Sequence, residues 1–459
     1  MRILILQFVP PGAPTPGPRF DHALGVAAAL LKADGFEVGL EALSGYHPGQ
    51  MRQAVTRFRP THVLMDVSPT RLAAARHVAV DLAEKHALPV YLVGDYATAM
   101  PEQAISMPGV AGLVVGVYEQ AVRELMLGLR DGQDAQVGDL EQGQPPQHLA
   151  VAGVWCNSEE GLVRDPPAPG PPSPEELPWP DRSLFNYAQY VAATGQAEFR
   201  ATLGCDRWCG FCLNEAYLDL YQQPPMRRRN ADDLLGEIQA VRQAFGGVAR
   251  LRFSDHGFAV DKEWLAQFAP RYAQQVGLPF RCRVQAARID DQTASLLARA
   301  GARDIDLQIG SGNDFLRQEV LAMPVSRRQI LATVASLRLA GLKVHGKVFI
   351  GCPYETEVTL EETLDLLARL RLDSVQASVF YPVPGTAAEE TCRDNGWLSG
   401  RDEQSFLAQH SVLDQPSMPA QRVDRVCRQF PALLRRRRHD WRAWLGRCFS
   451  PSAKSQPNQ

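Results

Sequence analysis

The sequence predicts an α/β protein in two sheets: a doubly wound N-terminal sheet, then a partial (β/α)6 barrel with a small helical C-terminal region. Three observations carry the prediction. Short strand-like segments alternate with amphipathic helical ones, the pattern of parallel sheets. A stretch rich in Pro and Gly separates two such series, and helical periodicity takes over after about residue 395. The expected boundaries are 1–135 for the first sheet, 136–194 for the connector and lead-in, 195–394 for the barrel, 395–449 for the helical region and 450–459 for a polar tail expected to be disordered.

In the first unit the strand-like runs are Arg2 to Val9, Glu37 to Leu40, His62 to Val67, Pro89 to Val93 and Gly112 to Val115. Helical spacers make this a doubly wound domain of about 130 residues. Such sheets bind ligands beyond the carboxyl ends of their strands. Those ends carry Pro10 to Pro18, Ser68-Pro69, Gly94 to Thr98 (with Tyr96 and Ala97) and Gly116 to Glu119. No GxGxxG follows the first strand, which disfavours a hydride-transfer domain. Residues 143 to 181 read as a stiff, irregular connector centred on Asp165 to Pro174. Trp179 beyond them is expected to pack on the barrel edge.

In the second unit the strand-like runs are Glu198 to Leu203, Arg250 to Phe253, Phe280 to Val284, Asp304 to Ile309, Lys343 to Ile350 and Asp373 to Val379. Leu234, Leu235, Ile238 and Val241 recur at helical spacing between them, as do Ile330, Val334, Leu337 and Leu342. Parallel barrels react at the carboxyl ends of their strands. Here those ends carry Cys205 to Cys212, Ser254 to His256, Gln285, Gly310 to Gly312, Gly351 to Glu355 and Tyr381 to Thr386. Gln308 and Gln376 alternate with apolar residues, so they face either into the barrel or an interior hydrogen bond.

Cys205, Cys209 and Cys212 form a CxxxCxxC run. Three thiolates at this spacing suit three irons of a four-iron cluster and leave the fourth open. A structural zinc site or an electron-transfer ferredoxin would want a fourth ligand nearby, and no Cys or His follows until His256. Cys156, Cys282, Cys352, Cys392, Cys427 and Cys448 are scattered singly and read as buried small hydrophobes.

The triplet with Phe211 before its last cysteine, the Ser254 to Phe258 segment, Ile309 to Gly312, Gly351 to Thr356 and Pro382 to Thr386 together resemble the radical S-adenosylmethionine (radical SAM) enzymes over roughly residues 195 to 390. The resemblance implies a TIM-type partial barrel holding a 4Fe-4S cluster on Cys205, Cys209 and Cys212, whose open iron chelates S-adenosyl-L-methionine (SAM). One electron then cleaves the sulfonium to a 5′-deoxyadenosyl radical, chemistry that belongs to the cofactor. It also implies SAM contacts from Gly210, Phe211, Ser254, Asp255, His256, Gln308, Ser311 and Ile350. The chain departs from cobalamin-type members at Gly310, where an acid often stands; Gln308 or Asp255 are the substitutes.

Directly upstream of such a barrel, the first unit is similar to the Rossmann-like cobalamin-binding domain of cobalamin-dependent radical SAM enzymes. That implies cobalamin against Ser68, Gly94, Tyr96, Ala97, Gly116 and Glu119. The DxHxxG sequence of other cobalamin proteins is missing, so cobalt is expected to lack a lower histidine, and His22 reads as a solvated helix-start residue. The implied function is methylation of an unactivated carbon, the substrate being a specialised metabolite, peptide or lipid, with an electron donor such as flavodoxin or ferredoxin. A cyclase or ring-rearranging enzyme without methyl transfer, and a non-catalytic iron-sulfur or cobalamin-binding protein, stay open. A methylthiotransferase would want further cysteines in the first unit, and none precedes Cys156.

Composition excludes several classes. The 459 residues, 45% hydrophobic, allow two or three ordinary cores. Forty-eight basic against 51 acidic residues, a net charge of -3, argue against nucleic-acid binding. Arg435 to Arg438, near Trp441 and Trp444, read as a solvated helix face. The apolar run Ile3 to Val9 is too short to span a bilayer and lacks a signal peptide's layout. Nine cysteines, three of them committed to iron, point to a reducing cytoplasm.

Overall fold

The computed structural model describes residues 1–9, 18–139, 150–158, 161–222 and 226–449. The expected tail at 450–459 and most of the predicted Pro10 to Pro18 loop lie outside them. The first sheet comprises β1 (Arg2–Phe8), β2 (Glu37–Leu43), β3 (His62–Asp66), β4 (Val90–Val93), β5 (Val110–Val114), β6 (Val154–Ser158) and β7 (Gly161–Arg164). Its order is β2-β1-β3-β4-β5-β6-β7. The first five strands are parallel, and the order reverses between β1 and β3, a ligand-binding crevice in open α/β sheets.

The hairpin β6–β7 corrects the reading of residues 143–181 as connector alone. β6 pairs antiparallel with β5, placing Trp155 opposite Leu113 and Arg164. The Arg164 guanidinium lies 4.9 Å from the Trp155 ring centre. Flanking Pro and Gly hide this short alternation in the sequence.

The second sheet comprises β8 (Gln196–Phe199), β11 (Arg250–Phe253), β12 (Phe280–Val284), β13 (Ala302–Gly310), β14 (Lys343–Ile350) and β15 (Ser374–Val379). All are parallel in the order β15-β14-β13-β12-β11-β8, an open six-stranded barrel. The strand expected over Glu198 to Leu203 is two. The chain leaves the barrel after Phe199, and β9 (Thr202–Leu203) pairs antiparallel with β10 (Arg227–Arg228). The break is enforced by the Asp255 carboxylate, which accepts from Ala201 N (3.1 Å) and Thr202 Oγ1 (2.8 Å).

Period-two burial divides the barrel strands into two faces. Leu251, Phe253, Phe280, Cys282, Ile305, Leu307, Val344 and Val348 pack under helices through Leu234, Ile238, Phe268, Leu297, Val334 and Leu364. Their polar neighbours line the concave side. Val423, Val426 and Phe430, from the helix Ala420–Phe449, join the same core. Of the four consecutive arginines there, Arg435 and Arg436 are exposed as expected. Arg437 instead pairs with Glu361 and, at 3.3 Å, Asp365, while Arg438 donates to the Leu372 carbonyl at 3.1 Å.

Cys282, Cys352 and Cys392 are buried, Cys156 and Cys427 half-buried, and all are free. Trp179 lies over Gly236 and donates to Asp233 at 2.7 Å. Among the described residues no helix is long and apolar enough to cross a membrane.

Candidate functional site between the two sheets

The carboxyl ends of both sheets open on one cavity of about 570 Å³. Asp66, Ser68, Gly94, Asp95, Gly116 and Glu119 form one wall; Arg200, Cys205, Phe211, Cys212 and Ser254 to His256 form the other. The two are joined by the helix Asn214–Tyr221, which follows the cysteine run directly. Its Tyr221 hydroxyl accepts from Val117 N at 2.8 Å, and its Tyr217 hydroxyl donates to Asp95 at 3.2 Å.

The cysteine loop is fastened through its backbone. Asn214 donates to the carbonyls of Cys205 (3.2 Å) and Arg207 (2.9 Å). Cys212 N–H reaches Cys209 O at 2.9 Å, and Gln285 holds Asp206 at 3.0 Å. Gly210 is used on both sides, donating to Leu321 O (3.2 Å) and accepting from Ala388 N (2.8 Å). Phe211 meets Phe349 edge to face at 5.0 Å. Burial raises all three thiols, Cys209 up to about 11.

The donor set fits an iron-sulfur cluster with one open iron. Three free thiols share one pinned loop. Among the described residues they are not gathered around one metal-sized point in this conformation. A four-iron cluster takes one thiolate on each of three irons and does not require such a point, and loading it involves thiol deprotonation.

Of the other residues expected near SAM, Ser254, Asp255 and His256 line the cavity. Burial raises the Asp255 pKa, against the lowering effect of the hydrogen bonds it accepts from Ala201 and Thr202. His256 meets Arg283 at 2.6 Å, and burial together with that guanidinium lowers its pKa. Gln308 Nε2 is buried without a hydrogen-bond partner. Ser311 and Ile350 are wholly buried away from the lining: Ser311 bonds Thr363 at 3.3 Å and Asn313 N at 3.2 Å, and Ile350 belongs to the barrel core. Gly310 has φ +75°, and a Cβ there would meet Met323 and Leu321 at 3.0 and 3.1 Å. That accounts for the missing acid, since a side chain at this position is both strained and crowded.

On the opposite wall Thr98 ties two glycine turns together, donating to Gly94 O (3.1 Å) and accepting from Gly116 N (3.0 Å). Ser68, Gly94, Gly116 and Glu119 line the cavity, whereas Tyr96 and Ala97 point into the first sheet's core. Asp21, Asp66 and Asp95 belong to the site but were not singled out in the sequence. The signal was available, because Asp66 ends β3 and Asp95 follows β4. Burial, with Asp21 and Asp95 nearby, drives the Asp66 carboxyl well above its usual range. The open cradle at the β1/β3 crevice, bounded by glycine turns and protonatable carboxyls, suits a large polar cofactor.

His22 is a correction. It begins a helix capped by Asp21, but it is 5% exposed, with both ring nitrogens unpartnered. Pro178, Trp179 and Pro180 of the connector share its pocket and shut it from solvent.

Residues 200–367 match the model of the Radical SAM superfamily. The chain thus carries a radical SAM domain over these residues. An uncharacterised methyltransferase of Pyrococcus horikoshii is 21% identical over 74% of the chain and 71% of its own length. Cytidylyl-2-hydroxyethylphosphonate methyltransferase of Streptomyces wedmorensis is 20% identical over 59% of the chain and 50% of its own length. The chain thus spans only about half of the second relative. Among solved structures, the radical SAM methyltransferase TsrM of Kitasatospora setae, with cobalamin and a [4Fe-4S] cluster bound, gives a TM-score of 0.66 at 17% identity, covering 87% of this chain and 76% of that one. The cobalamin-dependent SAM radical enzyme OxsB gives 0.62 at 14% identity over 95% and 56%. The two-sheet fold of this chain is therefore shared with these two structures.

Proposed function

We propose that this protein is a cobalamin-dependent radical SAM methyltransferase acting on an unactivated carbon of a specialised metabolite, peptide or lipid. One observation carries the reading: the cysteine loop and the carboxyl edge of the N-terminal sheet face each other across a single cavity. Cys205, Cys209 and Cys212 would hold the cluster, Phe211 and Ser254 to His256 would face SAM, and Ser68, Gly94, Gly116 and Glu119 would cradle cobalamin. When bound, cluster and SAM supply hydrogen abstraction and cobalamin supplies the methyl group.

The chain's own part is to orient and to exclude water. Tyr217 and Tyr221 fix the distance between the walls by gripping Asp95 and Val117. Asp255 fixes where the cysteine loop begins. The wall at the ends of β3 and β4 offers the carboxyls of Asp66 and Asp95, which would face the cobalamin. An electron donor of the flavodoxin or ferredoxin class, and the reducing cytoplasm that suits free thiols, complete the proposal.

The test is anaerobic reconstitution followed by reductant, SAM and hydroxocobalamin. Retained cobalamin with 5′-deoxyadenosine or S-adenosylhomocysteine is the expected result. A loaded cluster that yields neither nucleoside and retains no cobalamin would overturn it. Bound cobalamin and 5′-deoxyadenosine with no methylated product from an identified substrate would assign cyclisation or rearrangement instead.

A further inference from the structure

The concave face of the barrel carries more positive charge than its own carboxylates neutralise. Arg252 on β11, Arg283 on β12 and Lys347 on β14 alternate with residues buried under the helices, so they project from the concave side. The hydrogen bonds of the strand acids on that face go to other groups: Asp306 takes Arg281 on both oxygens (3.0 and 2.5 Å), Asp304 takes His345 at 2.7 Å, and Glu198, the register neighbour of Arg252, takes the Tyr190 hydroxyl at 2.9 Å, so Asp306 offsets the remaining cations only through space. Arg283 reaches only the His256 ring, at 2.6 Å. Among the described residues Arg252 and Lys347 make no side-chain hydrogen bond or ion pair. Arg200 makes none either, and with His256 it lines the cavity, which connects the set to the site.

Half-buried like charges repel strongly unless an anion joins them. Burial and Arg283 already lower the Lys347 pKa. The carboxylates Asp21, Asp66 and Asp95 stand on the other wall, across the cavity. SAM does not supply the deficit, because ammonium and sulfonium against one carboxylate leave it a net cation.

We infer that the substrate supplies the anion, a carboxylate or phosphate group held inside the barrel by Arg252, Arg283 and Lys347. This rests on the reading that the barrel holds SAM and substrate together. Guanidinium groups suit such planar or tetrahedral oxyanions through paired hydrogen bonds, and Lys347 adds a point charge. The unpartnered Gln308 amide is the register neighbour of Lys347 and offers a further donor.

The test uses the reconstituted full chain and inorganic phosphate. Phenylglyoxal modification of Arg252 and Arg283 is quantified by peptide mass spectrometry with and without phosphate, with exposed Arg435 as the control. Phosphate and SAM affinities are measured by calorimetry for the parent, Lys347→Gln, Arg283→Gln and Lys347→Arg. Phosphate should protect Arg252 and Arg283 but not Arg435, and each Gln variant should bind phosphate about tenfold or more weakly, the scale of a lost charge-assisted bond. SAM affinity should hold within about twofold and Lys347→Arg should retain phosphate.

Absence of protection, or equal phosphate binding by parent and Gln variants, overturns the inference. Parallel loss of SAM and phosphate also overturns it, by assigning these cations to the SAM carboxylate. If a variant does not fold, protection in the parent decides. Neither readout needs turnover, so a failed methylation assay would count against the proposed activity alone.

Discussion

Cys205, Cys209 and Cys212 stand on a loop whose backbone bonds are made by Asn214, Leu321 and Ala388. Replacing any one of them with Ala should abolish iron loading and SAM cleavage together while changing the melting temperature of the iron-free protein little, because the loop's fastenings do not run through the thiols. Iron analysis and calorimetry on the same samples check both halves. Glu355 has the opposite character. It is wholly buried, accepts from Gly351 N, leaves Oε1 unpartnered, and burial pushes its carboxyl up to about 7. A folded pKa raised above the unfolded value of 4.5 means that the protonated form stabilises the fold. That contribution is fully present below about 4.5, is lost progressively from there as pH rises through about 7, and is on the order of 3 kcal/mol. Glu355→Gln should therefore be more stable than the parent at pH 8 and nearly equal to it at about pH 4.5, by denaturant unfolding at both. A parent whose stability relative to the variant does not change with pH would refute the assignment.

The helix Asn214–Tyr221 is the element on which the site turns, since it carries the cysteine loop at one end and grips the N-terminal sheet at the other. Tyr221→Phe removes the acceptor for Val117 N and should cost about 1–2 kcal/mol. The local signature would be faster amide exchange at 116–119 with the barrel strands unchanged. Gly310 makes a second prediction at this scale. Restoring an acid by Gly310→Glu should destabilise by about 1–3 kcal/mol and gain no SAM affinity, because a side chain is strained at φ +75° and its Cβ would crowd the Met323 and Leu321 side chains. Thermal melts and SAM titration report the two outcomes separately.

At the scale of the whole molecule, Arg182 is the staple. Its guanidinium lies 4.7 Å from the ring centre of Phe20 of the first unit and 5.0 Å from that of Phe199 of the barrel, and it pairs with buried Glu237 at 2.6 Å. Glu237 also takes Arg229, so one carboxylate with no exposure serves two arginines from different segments. Glu237→Gln should cost about 3–5 kcal/mol, the range for breaking a buried pair. It should also loosen the junction, splitting a single unfolding transition into two by calorimetry. A single transition at the parent temperature would show that the staple contributes nothing to coupling.

What the sequence determined by itself were the features with local causes. Period-two and helical apolar spacing sufficed for ten of the strands near their observed places, and the thiol spacing sufficed for the donor set, since both follow from residues close in the chain. The local rules failed where a distant partner intervened. Asp255 broke one strand by capturing Ala201, the edge of β5 made a hairpin out of an apparent connector, and Pro178 to Pro180 buried His22. Only the tertiary structure decided that the strand ends of the two sheets share one cavity, and that Arg252, Arg283 and Lys347 face one interior whose carboxylates bond other groups. A pleat records which side of its strand a residue takes; what stands across the gap depends on sheet closure and domain docking, which no window of sequence contains.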